Sequence, residues 1–156
     1  MSAVGRLKLQ RTFRCIEDKP VCFVGHSVGL TFNLAMGECR PIWRKPRKRV
    51  RSGGYQVLKS GFDIFIFASG WRLWRNTGYQ LRSHDCPARI RRELEGLRGK
   101  RVASITLVGS APRLVVIFRD GIRLDLLGDF GGEEDPYGWN VTGLPGLKRD
   151  MFSLLD

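Results

Sequence analysis

One pattern occurs twice in this chain, and few folds can satisfy it both times. Leu30, Phe32, Leu34 and Gly37 match Leu114, Val116, Phe118 and Gly121 at one constant offset, 84. Gly70, Trp71, Leu73 and Gly78 match Gly138, Trp139, Val141 and Gly146 at another, 68. Apolar residues two apart line one face of a strand, and a glycine suits the turn that sends the chain back. Both copies therefore read strand, turn glycine, strand, Gly-Trp-x-apolar. The difference in offset gives the first copy 16 extra residues between its turn glycine and its tryptophan.

The copies span approximately 21–80 and 102–147. They predict a mainly β (α+β) protein of two related antiparallel meanders in one rolled or sandwich-like domain, 1–156. Trp71 and Trp139 are expected at equivalent core positions, each at the end of its meander, because a buried indole contributes a large apolar surface. The second copy is the clearer: RVASITLVG, PRLVVIFRDG and IRLDLLGDF read as consecutive strands, with Asp120-Gly121 as a tight turn. The 19 glycines agree with many short turns. Ahead of the first copy, RLKLQRTFRC at 6–15 places Leu7, Leu9, Phe13 and Cys15 at odd positions and predicts a half-buried strand. One short helix is expected between the copies, from about 85 to 97. Asp85 is available as its cap, Pro87 lies in its first turn, and Ile90, Leu94 and Leu97 form an apolar stripe before Gly99.

Charge is distributed unevenly. Residues 1–84 carry 16 basic and 4 acidic side chains, whereas 85–156 carry 11 of each, so the first half holds the whole excess of +12. Such asymmetry points to an anionic partner. The excess is densest in RPIWRKPRKRVRSGG at 40–54, which falls inside the stretch gained by the first copy, a basic insertion over 38–54. Arg40, Arg44, Lys45, Arg47, Lys48, Arg49 and Arg51 supply seven cations there, and Trp43 can stack on a base or a guanidinium. Pro41 and Pro46 disfavour a continuous helix, so an extended or irregular loop is expected.

Other constellations carry weaker chemistry. GHSVG at 25–29 has the spacing of the G-x-S-x-G nucleophile elbow, with Ser27 as nucleophile and His84 as the one later histidine. The context disfavours it, because only 24 residues precede the motif and Leu30 to Leu34 alternates like a strand. Cys22, His26, His84 and Cys86 have ligand chemistry, but C-x-x-x-H and H-x-C are not the spacings of a common zinc module. Asp129, Glu133, Glu134 and Asp135 lie in a glycine-rich turn without EF-hand spacing, which could instead face the basic loop. No phosphate-cradling glycine loop is present. Neither metal nor cofactor is expected, and catalysis is not favoured. The four cysteines contain no C-x-x-C pair, no export signal opens the chain, and no window of about 18 apolar residues exists. These predict a cytoplasmic protein with reduced thiols and no membrane span.

The segment LRGKRVASITLVGSAPRLVVIFRDGIRLDLLGDF followed by YGWNVTGLPG resembles a broad group of small bacterial β-rich proteins, some of them immunity-like. The resemblance covers mainly residues 62–146. It implies a non-catalytic protein that binds and blocks a partner, and the charge of the first lobe makes an acidic protein surface the expected one. The basic insertion departs from that group's pattern. The alternative is a sequence-tolerant nucleic-acid-binding module using the same cations.

Overall fold

The computed structural model describes residues 3–26, 31–44, 55–67, 70–109, 113–127 and 138–143. Its elements are α1 (Ala3–Phe13), continued by a 3-10 turn (Arg14–Ile16), then β1 (Val21–His26), β2 (Phe32–Met36), β3 (Arg40–Arg44), β4 (Tyr55–Lys59), β5 (Phe62–Phe67), β6 (Trp71–Trp74), β7 (Gln80–Arg82), α2 (Pro87–Glu95), β8 (Val102–Val108), β9 (Arg113–Phe118), β10 (Arg123–Leu126) and β11 (Gly138–Thr142). The protein is mainly β, with two larger antiparallel sheets, one two-stranded ribbon and two short helices among the described residues.

The two meanders are interlocked. Sheet I has the order β1-β2-β5-β11 and sheet II the order β7-β6-β10-β9-β8. Three consecutive ladder strands of each copy stay together, but the tryptophan strand of each crosses to the other sheet. Trp71 of β6 sits opposite Leu126 of β10, and Trp139 of β11 sits opposite Ile66 of β5. Those are equivalent places, because Leu126 opposes Leu114 as Ile66 opposes Phe32. Residues 68–70 separate β5 from β6, and the chain passes from one sheet to the other between them. The ladder also moves one equivalence: Phe32, Leu34 and Met36 correspond to Leu114, Val116 and Phe118, two residues out of step with the sequence match. A two-residue shift keeps every side chain on its face, so alternation alone does not reveal it.

The first hairpins of both meanders share a bulge, at Cys22 in one and Ala103 in the other. Just before these bulges the meanders clasp each other through the main chain. Asp18 N–H donates to Val102 O (2.8 Å) and Val21 N–H to Lys100 O (2.8 Å). Reciprocally, Gly99 N–H donates to Val21 O (2.7 Å) and Val102 N–H to Lys19 O (3.1 Å). Asp18 and Gly99 hold matching places and both have positive φ, +65° and +82°. Glycine adopts that conformation freely, and aspartate is one of the few other residues found there.

Both sheets contribute to one core, where Phe32 and Trp71 meet edge to face at a centroid distance of 5.2 Å. The strand expected over 6–15 is instead α1. Leu9, Phe13 and Ile16, at i, i+4 and i+7, are buried, whereas Leu7 is 63% exposed. No glycine or proline interrupts residues 6–19, so the helical period prevails over the odd-position alternation. Gln10 then covers the edge of sheet II: its Nε2 donates to Ile105 O and its Oε1 accepts from Leu107 N–H, at 2.7 and 3.1 Å. Satisfying an edge strand in this way removes a template for intermolecular pairing. The stripe expected for α2 is buried at Ile90, Leu94 and Leu97, with Pro87 opening the helix. Its N-cap is Cys86, because the Asp85 carboxylate accepts from Arg82 N–H and closes the preceding turn.

Phe13→Ala should lower unfolding stability by about 3–5 kcal/mol, while Leu7→Ala should change it by less than about 0.5 kcal/mol. Chemical denaturation of the two variants checks this, since a strand would place both residues on one face.

Candidate anion-binding arm

The basic insertion grows out of a hairpin without disturbing it. Met36 of β2 pairs with Phe62 of β5, so the chain leaves the ladder after Met36 and rejoins it at the opposite residue. In the second meander the corresponding pair is nearly in contact along the chain: Phe118 N–H donates to Ile122 O at 2.8 Å. Within the excursion β3 and β4 form a two-stranded ribbon that, among the described strands, pairs with no other. Its register sets Arg40 opposite Lys59, Ile42 opposite Val57 and Arg44 opposite Tyr55, with Trp43 opposite Gln56. The irregular loop expected from Arg40 is thus a strand as far as Arg44; proline is tolerated at such a ribbon edge. Lys45, Arg47, Lys48, Arg49 and Arg51 fall outside the described residues, between the two strands of this arm.

The foot of the arm is built on both sides. Cys39, the residue before β3, is disulfide-bonded to Cys22 at the β1 bulge, with 6.0 Å between Cα atoms. Cys22 is therefore not an available thiolate, and the expectation of four reduced thiols is corrected for this pair. Cys15 and Cys86 are free, and burial pushes the Cys15 thiol up while its Sγ donates to Thr12 O. On the returning side, Ser60 Oγ donates to Asp63 Oδ2 at 2.5 Å. A shallow cleft of about 440 Å³ lies at this foot, lined by Glu38, Arg40, Ile42, Lys59, Ser60 and Gly61. Arg40 is already answered there: its Nη2 lies 2.7 Å from Glu38 Oε2, and this hydrogen bond holds the Glu38 carboxyl below its usual range. Both partners are exposed, so the pair contributes little to stability.

The other candidates are not brought into a site. Gly25 and His26 end β1, Ser27 lies outside the described residues, and the chain returns as the antiparallel β2 with Gly25 opposite Asn33. A nucleophile elbow needs a helix at that point. Gly25 has a packing role instead, since a Cβ there would collide with Asn33 Oδ1. His84 is exposed in the turn before α2. Asp129, Glu133, Glu134 and Asp135 fall outside the described residues. Among those that are described, no helix is long and apolar enough to cross a membrane.

A second group of cations was not singled out by the sequence, because it draws on both halves. On the outer side of β10, Asp125 is 1% exposed. Its carboxylate accepts from Arg113 Nη2 (2.5 Å), Arg123 Nε (2.6 Å) and Trp74 Nε1 (3.3 Å). An acidic residue between two leucines in Arg-Leu-Asp-Leu was the available signal, but nothing in the sequence brings Trp74 to it. Comparison with family models, curated proteins and solved structures finds no match.

Burial raises the Asp63 carboxyl above its ordinary value near 3.8, and the Ser60 hydrogen bond offsets only part of that. Folding therefore favours the protonated acid. Its contribution is complete below the unfolded-state pKa and is lost as pH rises through the higher folded-state value. Asp63→Asn, which cannot ionise, should gain stability relative to the unmodified protein as pH rises from below 3.8 towards neutrality. Paired urea titrations across that range test the sign, and a gap that is constant with pH would contradict it.

Proposed function

We propose that this is a non-catalytic binding protein whose β3–β4 arm engages nucleic acid through the phosphate backbone. The observation that carries the reading is the position of the basic stretch: the densest cationic segment joins the two strands of a ribbon that, among the described strands, pairs with neither sheet. A two-stranded ribbon has the width that a major groove of about 12 Å admits. Arginine and lysine at its end meet phosphates without reading base sequence. The disulfide and the Ser60–Asp63 hydrogen bond support the reading by fixing where the arm leaves the sheet. Arg40, Trp43 and Arg44 lie along the ribbon, and Lys45, Arg47, Lys48, Arg49 and Arg51 continue from it.

The immunity-like reading, with an acidic protein surface as partner, rests on the resemblance of the second half. It uses the same cations, and phosphate contacts distinguish the two readings by their dependence on salt. If all seven cations of the arm meet phosphates of a duplex, log affinity should fall against log salt with a slope of about −6. Replacing Arg44, Lys45, Arg47, Lys48 and Arg49 together by glutamine should make that slope shallower by about 4.5 and weaken binding to unrelated duplexes alike. Fluorescence anisotropy with two unrelated 20-base-pair duplexes measures both effects. Unchanged affinity in the variant, or binding to polyglutamate without binding to duplex, would count against the proposal.

A further inference from the structure

We infer that the outer face of sheet II is a second binding surface, shaped for single-stranded nucleic acid. The inference extends the proposed reading from the arm to another part of the molecule and rests on that class of partner. Strand exchange creates the surface. Because β6 and β7 enter sheet II beside β10, Arg72 stands opposite Asp125 and Arg82 stands opposite Arg72. Neighbouring strands are spaced about 4.8 Å apart, so Arg82, Arg72 and the Arg113–Asp125–Arg123 cluster form a continuous cationic field. Leu124 and Leu126 point into the core, which leaves Asp125 and the arginines on the opposite side.

One carboxylate organises the field without neutralising it. Asp125 holds Arg113 and Arg123. It answers one of the two charges it fixes, so positive charge remains at the cluster. A guanidinium has five donors in a planar fork, and one anchored by a single carboxylate retains donors for a phosphate. Anchoring in advance also lowers the ordering cost on binding.

One aromatic ring lies within the same field: half-buried Trp74 is opposite Arg123 in the ladder. Cations interleaved with aromatic and guanidinium planes can follow a backbone and stack unpaired bases, which a duplex does not present. Charge complementarity and these planar groups together favour a single strand over an acidic protein surface.

The test uses the full protein with two labelled probes, a thirty-nucleotide oligothymidylate and a 20-base-pair duplex. The double variant Arg72→Gln/Arg82→Gln removes two exposed cations, neither of which holds Asp125, and its thermal melt checks that the fold is retained. It should bind the oligothymidylate more weakly, with a salt slope shallower by about 1.4, and keep its affinity for the duplex. The arm variant should show the reverse. Wild-type affinity and slope for the oligothymidylate in the double variant would overturn the inference while leaving the arm untouched. Face-dependent binding of the single strand without any binding of the duplex would remove the arm reading and support the face. Retention by polyglutamate with no binding of either oligonucleotide would overturn both.

Discussion

The reciprocal clasp between residues 18–21 and 99–102 is the constraint on which the rest of the structure depends. Four main-chain hydrogen bonds join the entry of one meander to the entry of the other, and each meander supplies two of the donors. A clasp at that point places the two bulged hairpins beside each other, and exchange of the tryptophan strands then completes both sheets. Neither sheet is complete without a strand from the other half of the chain. The buried Trp71 and Trp139 thus tie the halves together where each half contributes least by itself.

The same arrangement explains how a long basic excursion is accommodated. Residues 37–61 leave and rejoin the ladder at paired positions, so the apolar alternation of β2 and β5 is undisturbed. The entropy of closing a loop grows only slowly with its length, and the ribbon offsets part of that cost by pairing with itself. The Cys22–Cys39 bond adds a covalent attachment at the base.

Much of the ladder was legible in the sequence because strand faces and turn glycines follow from local period. The apolar runs at 62–67 and 114–118 announce strands with a buried face, and Ile64, Ile66, Leu114, Val116 and Phe118 are the residues that fill it. Two kinds of information were not local. In α1, Leu7 and Leu9 imitate a strand, and the deciding residue is Ile16, whose burial at the helical period is visible only once Phe13 is read with it. The exchange of β6 and β11 depends on the partner ladder, so sequence order placed each tryptophan with its own meander. The candidate site was legible to the same degree: the arm's cations could be named, but its disulfide depends on Cys22 and Cys39 meeting across a hairpin. Counting charge by halves likewise assigned Arg72, Arg75 and Arg82 to the first lobe, although their strands and Arg75–Glu93 pairing place them with residues of the second half.

Strand exchange is therefore the claim that most needs a direct measurement. Interstrand nuclear Overhauser effects in an isotope-labelled sample identify which backbone lies beside each tryptophan. With the strands exchanged, cross-peaks should join the backbone protons of Trp71 and Leu126 and their ladder neighbours, and those of Trp139 and Ile66. Cross-peaks joining Trp71 to Ile66 and Trp139 to Leu126 would instead keep each tryptophan strand with its own meander and would contradict the exchange.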